Sequence, residues 1–319
     1  MLLHVDELRL ESGELLQGAV IGYRTYGRLA ETGDNAVLLF SYYTGNHDSY
    51  DPWIGPGRPL DPDRHLVVVV DHLGGGVSTS PSHGLDVVPE LTTGDCVEAA
   101  RLVLASLGVR RLRLAAGWSL GGMQALELAV RHPSSVEAVL ALCSAARCSE
   151  VNEVFLGSVA AALGADPEPG ARVGRNAFGR VYAGWAYSEE FFAEGLYREF
   201  GYRDPADVLS SWGRDHEEHH ADDLLASLRM WLRADVGRGR GGTLAALATI
   251  TARTLLMPAS TDQYFTVGEN EREVGALRRG ELRVLESPLG HVAGRPGVRA
   301  AEQQVVDRAL RDLLDDPPS

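Results

Sequence analysis

The sequence predicts an α/β protein, built on a mostly parallel, doubly wound sheet with an inserted helical lid. Short β-branched runs recur along the chain, and each run ends in turn residues, which is typical of strands buried on both faces of a sheet. Helical stretches, such as Thr93 to Leu107 and Gly122 to Arg131, separate several of these runs. This alternation is typical of βαβ units.

The strand runs account for most of the predicted core. They are Ala36 to Ser41, Leu66 to Asp71, Leu112 to Gly117, Val136 to Ser144, Thr254 to Pro258 and Leu282 to Ser287. The first residues, MLLHVDELRLESGELL, predict a further pair of strands. They carry acidic residues where a signal peptide needs positive charge followed by an unbroken apolar segment.

The strand pattern disappears between residues 149 and 247, where the chain is helical, charged and aromatic. We predict that residues 149–247 form a helical lid inserted into a core domain of residues 1–148 and 248–319. The segment GRGRGG, Gly237 to Gly242, then supplies a flexible return to the core.

Composition and charge exclude several classes of function. Hydrophobic residues make up 45% of the chain and charged residues 23%, which is the balance of a soluble globular protein. The net charge of −14 disfavours nucleic acid and anionic membranes as partners. No apolar run approaches the roughly 20 residues that span a bilayer. We therefore expect a cytoplasmic protein that binds a small molecule.

The strongest motif is Gly117-Trp118-Ser119-Leu120-Gly121, which follows a predicted strand and precedes an amphipathic helix. G-x-S-x-G in this context is a sharp strand-to-helix turn that exposes a nucleophilic serine. Since the helix begins at this turn, the Leu120 amide is predicted to stabilise the oxyanion that forms when Ser119 attacks a carbonyl.

A serine nucleophile needs an imidazole base and an acid that orients the imidazole. In folds with this turn, the chain order is serine, acid and then histidine, with both partners in loops after strands. Asp262 and His291 are at such positions. Three other acids fit less well. Asp95 begins a predicted helix and is typical of a helix cap, Glu269 lies at the start of the helix that follows Asp262, and Glu286 lies inside a predicted strand.

The loop SYYTGNHDS follows the strand Val37 to Phe40 and is predicted to supply a second oxyanion donor, the backbone amide of Tyr43. Thr44 is close behind, because Thr44-Gly45 makes the turn toward the serine. Pocket roles for His47, Asp48, His72 and His83 are left open.

No cofactor or metal site is predicted. The cysteines, Cys96, Cys143 and Cys148, show no C-x-x-C spacing. A lid segment with several histidines and acids resembles a metal cluster but has no ligand from a strand, so a solvated helix face is the prediction; it contains His216, His219, His220, Asp222 and Asp223.

Several blocks together resemble the homoserine O-acetyltransferase family of α/β-hydrolases. They are DPWIGPGRPLDPDRHLVVVVDHLGGGVSTSPS, GWSLGGMQALELAVRHP, STDQYFTVGEN and SPLGHVAG, and the resemblance extends from about Gly22 to Leu314. It implies the α/β-hydrolase fold, a homodimer, and Ser119, Asp262 and His291 as the triad. It also implies Leu120 and Tyr43 as oxyanion donors.

That family contains acetyl-CoA-dependent transferases and a branch of esterases, and this chain is more similar to the esterases. In the transferases an aspartate suited to the substrate amino group follows the catalytic histidine, whereas Val292 follows His291 here. Homoserine is therefore not the expected substrate.

The sequence thus predicts a serine hydrolase that cleaves small acetate-type esters through an acyl-enzyme. One alternative is an O-acyltransferase that moves a short acyl group from acyl-CoA to a metabolite alcohol; another is a non-catalytic binder of small molecules. Lid aromatics either shape a substrate pocket or pack the lid on the core. The predicted substrate-binding residues are Thr44, Trp118, Tyr182 and Trp185.

Overall fold

The structure is a computed structural model that describes residues 1–83, 85, 89–168 and 170–315. Within these residues, eight strands form one sheet. They are β1 (Leu2–Arg9), β2 (Leu15–Tyr26), β3 (Ala36–Phe40), β4 (Leu66–Val70), β5 (Leu114–Trp118), β6 (Ala138–Leu142), β7 (Arg253–Met257) and β8 (Gly280–Leu282). Their spatial order is β1-β2-β4-β3-β5-β6-β7-β8.

Strands β3 to β8 run parallel to one another, and only the pairs β1–β2 and β2–β4 are antiparallel. Every residue of β3, β4, β5 and β6 is buried, because the helices that flank the sheet exclude water from it. The α/β prediction is therefore confirmed.

One predicted strand was placed wrongly. The run Leu282 to Ser287 was expected to form the last strand, but β8 ends at Leu282, and Leu285 makes only an isolated bridge to Ala259. Strand β8 begins at Gly280, in a mostly exposed segment at the edge of the sheet. Because exposed edge residues need not be hydrophobic, the hydrophobic pattern does not indicate where this strand begins.

The chain contains ten α-helices within the described residues. They are α1 (Thr93–Ser106), α2 (Leu120–Arg131), α3 (Glu150–Gly164), α4 (Arg172–Ala186), α5 (Glu189–Ala193), α6 (Pro205–Glu217), α7 (Ala221–Leu232), α8 (Thr243–Leu247), α9 (Val267–Val274) and α10 (Ala300–Asp315). No helix in the described ranges is long and apolar enough to cross a bilayer. All three cysteines are buried free thiols.

Along the chain, helices α3 to α8 come between β6 and β7, and they make up the segment that was predicted to be a lid. Helix α4 packs against α3 and α6, and α3 also packs against α7. Phe155 of α3 is fully buried and lies against both Tyr182 of α4 and Tyr264 of the β7–α9 loop. Aromatic packing therefore joins these helices to the core, while the division into lid and core domains stays a prediction.

Candidate active site

Ser119 lies at the tip of the turn between β5 and α2. Its backbone has φ 58° and ψ −127°, a conformation that is strained for a residue with a side chain. Hydrogen bonds maintain this conformation: the Ser119 amide donates to the Leu142 carbonyl (2.9 Å), and its carbonyl accepts from the Ser144 hydroxyl (2.7 Å). The turn thus presents Ser119 at the carboxyl edge of the sheet.

The two glycines of the motif are required by close backbone contacts. A Cβ atom on Gly117 would lie 2.2 Å from the Gly121 carbonyl carbon, and one on Gly121 would lie 2.3 Å from the Phe40 carbonyl oxygen. Any larger residue would force apart β3, β5 and α2, which explains the spacing of the motif.

His291 and Asp262 come together at the same edge of the sheet. The His291 Nδ1 atom lies 2.7 Å from Asp262 Oδ2. The other carboxylate oxygen accepts hydrogen bonds from the amides of Tyr264 (3.0 Å) and Phe265 (3.1 Å). Asp262 is therefore anchored at both oxygens and can orient the imidazole, leaving Nε2 as the nitrogen that can accept a proton.

Aromatic rings pack around the imidazole. The ring centroid of His291 lies 5.0 Å from that of Trp118, which is stacked on it, and 4.4 Å from that of Tyr264. The Trp118 indole nitrogen also donates to the His291 carbonyl (3.3 Å). Because Trp118 precedes Ser119 directly, this contact connects the loop that carries His291 to the turn that carries Ser119.

The predicted triad is almost sealed from solvent. Ser119 and His291 are each 2% exposed and Asp262 is 6% exposed. The Ser119 hydroxyl has no hydrogen-bond partner among the described residues. A buried serine hydroxyl without a partner is free to donate its proton to His291 Nε2 in the predicted triad when a substrate arrives.

The predicted oxyanion donors flank Ser119 on neighbouring segments. Leu120 is the first residue of α2, and Tyr43 lies in the loop that follows the adjacent strand β3. Neither amide donates a hydrogen bond to another described residue. Both are therefore available to a developing negative charge.

The predicted substrate-binding residues lie in different surroundings. Trp118 lies against His291, as described above. Tyr182 is 7% exposed and its ring stacks between Tyr43 and Trp212, while Trp185 packs on Phe155. Thus Trp118 contacts the predicted triad directly, whereas Tyr182 contacts the predicted oxyanion residue Tyr43 and Trp185 contacts Phe155; their roles in binding stay predictions.

Thr44 lines a polar cavity of about 380 Å³ between the β3 loop and α7. His83 and His219 lie in its wall, and the pocket role left open for His83 stays a prediction. His72 is instead fully enclosed, 2% exposed, and bonded to Ser41 and Ser227. His72 is therefore part of the internal packing.

The histidine-rich segment of residues 216–223 contains both buried and exposed side chains. Across the described ranges there is no group of three or more histidine, cysteine or acidic residues able to hold a metal ion. The prediction of a solvated face was wrong for His216, which is 2% exposed and stacks on Trp212, and whose Nδ1 atom donates to the Trp212 carbonyl (2.8 Å).

Helix α9 carries buried carboxyl groups that were not predicted, and it bonds to the loop that follows β6. Glu273 Oε1 accepts from the Ala146 amide (2.8 Å), and Asn270 donates to the Ser144 carbonyl (2.9 Å). Burial raises the pKa of Glu273 to about 8 and that of Glu269 to about 7. Their burial could not be read from the sequence, because α9 is otherwise charged.

Replacing Glu273 with glutamine should remove a pH dependence of stability. Folding raises the pKa of the Glu273 carboxyl group from 4.5 to about 8. The contribution of this group to the free energy of unfolding is therefore fully present below pH 4.5 and is lost as the pH rises through about 8. The neutral amide can keep the bond from Ala146. We expect Glu273→Gln to match the wild type at pH 5 and to exceed its unfolding free energy at pH 9 by roughly a few kcal/mol, measured by urea unfolding.

Glu271→Gln is the matched control, because Glu271 lies on the same helix but is exposed. It should leave the pH profile unchanged. Equal pH profiles for Glu273→Gln and the wild type would contradict the raised pKa.

The family-model comparison matches residues 35–294, a range that contains the whole predicted triad, to the alpha/beta hydrolase fold. The chain belongs to the α/β-hydrolase family. An ethyl acetate hydrolase from Pseudomonas veronii is 30% identical to it over 99% of this chain and 95% of the relative. A homoserine O-acetyltransferase from Caulobacter vibrioides is 31% identical over 97% of this chain and 92% of the relative.

Solved structures agree with this assignment. This α/β-hydrolase superposes on the acetyl esterase MekB with a TM-score of 0.95 at 30% identity, covering 99% of this chain and 96% of the other. An acetylester hydrolase from Corynebacterium glutamicum gives 0.94 at 27% identity, covering 99% and 96%. The predicted resemblance to the homoserine O-acetyltransferase family and its esterase-like branch is thereby confirmed.

Proposed function

We propose that this α/β-hydrolase is a serine esterase that cleaves small acetate-type esters through an acyl-enzyme on Ser119. The observation that carries the proposal is the 2.7 Å bond between His291 Nδ1 and Asp262, beside a serine held in a strained turn. Relatives that cover nearly the whole chain include an ethyl acetate hydrolase, which supports an ester as substrate.

The proposed reaction has two steps with the same base. Ser119 Oγ attacks the ester carbonyl while His291 Nε2 takes its proton, and the amides of Leu120 and Tyr43 stabilise the oxyanion. The imidazolium then protonates the departing alcohol. In the second step His291 removes a proton from water, which attacks the acyl-enzyme, and the imidazolium then returns that proton to Ser119 Oγ as the bond to the acyl group breaks and the acid is released.

Transfer of the acyl group to an alcohol is the second candidate function. It uses the same acyl-enzyme but requires an acceptor that outcompetes water. The homoserine O-acetyltransferase from Caulobacter vibrioides supports it. Val292, next to His291, is 2% exposed and cannot bind an ammonium group, so homoserine is a poor acceptor in this proposal.

One assay separates the candidates. The protein is mixed with p-nitrophenyl acetate, and then with acetyl-CoA together with candidate alcohols, including homoserine. Steady release of p-nitrophenol without an acceptor supports the esterase, and an acceptor-dependent product supports the transferase. Absence of both a burst and turnover would support a non-catalytic binder. Intact-protein mass spectrometry then identifies the acyl group on Ser119.

Two further features of the proposal concern the cellular setting. We propose that the enzyme acts in the cytoplasm, as its charge and composition predict, and that it forms a homodimer, as the family resemblance implies. Sedimentation of the purified protein tests the dimer, and fractionation of producing cells tests the location.

A further inference from the structure

Two buried side chains connect the segment that carries Tyr43 to the turn that carries Ser119. The first is Tyr50, which is fully buried. Its phenol oxygen donates to the Phe40 carbonyl (2.9 Å) and accepts from the Trp118 amide (2.9 Å). One hydroxyl group therefore joins the end of β3 to the residue immediately before the nucleophile.

The second is Gln124, which is 1% exposed and lies on α2. Its Nε2 atom donates to the Ser41 carbonyl (3.0 Å) and to the Leu120 carbonyl (3.2 Å). Its Oε1 atom is buried without a partner among the described residues. A flipped amide would place that oxygen against two carbonyl oxygens, so the donor orientation is the favourable one.

Ser41 is also held from its other side. The Ser41 hydroxyl accepts from the His72 amide (2.9 Å) and lies 2.8 Å from His72 Nδ1, while His72 Nε2 lies 3.1 Å from the Ser227 hydroxyl on α7. Burial lowers the pKa of His72 to about 4, so the ring is neutral near pH 7. Ser41 therefore has fixed partners on both sides.

We propose that Tyr50 and Gln124 are positioning residues that set the separation of the Tyr43 and Leu120 amides. Each side chain joins a residue just before Tyr43 to a residue next to Ser119. Together they therefore fix the distance between the two backbone amides of the proposed oxyanion hole. Donors must lie about 2.7–3.1 Å from the oxyanion to stabilise it, so small displacements weaken catalysis. The inference rests on the proposed esterase function.

The test is Gln124→Met, which keeps the side-chain volume and removes both donated bonds. It also removes the unpartnered buried oxygen, so the fold should tolerate the change. We expect kcat/KM for p-nitrophenyl acetate to fall about 10- to 100-fold, mostly through kcat, because only the transition state carries the oxyanion. Tyr50→Phe should show the same pattern.

A transition-state analogue separates positioning from general damage. Ser119 adds to the carbonyl of a trifluoromethyl ketone, His291 takes the serine proton, and the resulting hemiketal oxygen occupies the oxyanion position. The inhibition constant of this ketone should rise by the same factor by which kcat/KM falls. Gln303→Met is the matched control, since Gln303 is another buried helical glutamine and bonds to Asp307 and Gly297.

Labelling of wild-type Ser119 with a fluorophosphonate distinguishes the two levels of failure. If the wild type neither reacts nor hydrolyses esters, the proposed function and this inference both fail. If the wild type reacts with the fluorophosphonate and hydrolyses esters, the proposed function stands. In that case an unchanged kcat/KM in both Gln124→Met and Tyr50→Phe would overturn the positioning role alone. So would a loss of kcat/KM with an unchanged inhibition constant for the ketone. If one variant does not fold, the other decides.

Discussion

Replacing Ser119 with alanine is expected to lower ester turnover on the order of 10⁴-fold or more, by comparison with other serine triads. In the proposed mechanism the Ser119 hydroxyl oxygen accepts the acyl group, and water attacking the ester directly has neither the position of that oxygen nor its activation by His291. The fold should persist, because the bonds that hold the turn use the backbone of residue 119. Initial rates with p-nitrophenyl acetate measure the loss.

Ser158→Ala is the control for this substitution. Ser158 lies on α3, and its hydroxyl donates to the Phe155 carbonyl (2.7 Å) in the same helix. Removal of this hydroxyl should therefore leave the rate of ester hydrolysis unchanged. Intact-mass analysis should find an acyl adduct on the wild type and on Ser158→Ala but not on Ser119→Ala. Persisting turnover in Ser119→Ala would show that the nucleophile has been assigned incorrectly.

Replacing Asp262 with asparagine is expected to lower kcat on the order of 10⁴-fold near pH 7. Asparagine can keep the bonds from the Tyr264 and Phe265 amides through its oxygen, which turns its NH₂ group toward His291 Nδ1. The imidazole must then accept at Nδ1 and carry its proton on Nε2, the nitrogen that should receive the serine proton. The variant should therefore fold but fail as a base.

The rate of acyl-enzyme formation, followed by stopped flow, is the direct measurement of this defect. Asp222→Asn serves as the control, because Asp222 is an exposed carboxylate whose side chain is 64% accessible. A fall of less than about tenfold in Asp262→Asn would point to a different orienting acid, since that group supplies far more in other triads.

Local sequence was sufficient to predict the parallel core and the sharp turn at Ser119. Buried parallel strands are continuous apolar runs, as in β3 to β6, and such runs are recognisable without knowing their neighbours. The glycines at positions 117 and 121 are equally local, because each avoids a backbone contact within or beside the turn. The positions of Asp262 and His291 after strands followed from chain order alone.

Predictions were poorer where burial depends on distant segments. The exposed edge strand β8 was misplaced, and His216 was expected in solvent although Trp212 and Phe178 cover it. Glu273 was not singled out at all. A charged or polar residue in a charged segment gives no sign that another part of the chain will enclose it.

The sequence by itself determined the family, the order of the strands along the chain and the three residues proposed to perform the chemistry. These features depend on short-range patterns and on chain order. Only the tertiary structure revealed how Tyr50 and Gln124 join the two sides of the proposed oxyanion hole and which carboxyl groups are buried behind it. Those contacts join residues up to 127 positions apart, as between Ala146 and Glu273, and such pairings arise only when the sheet assembles.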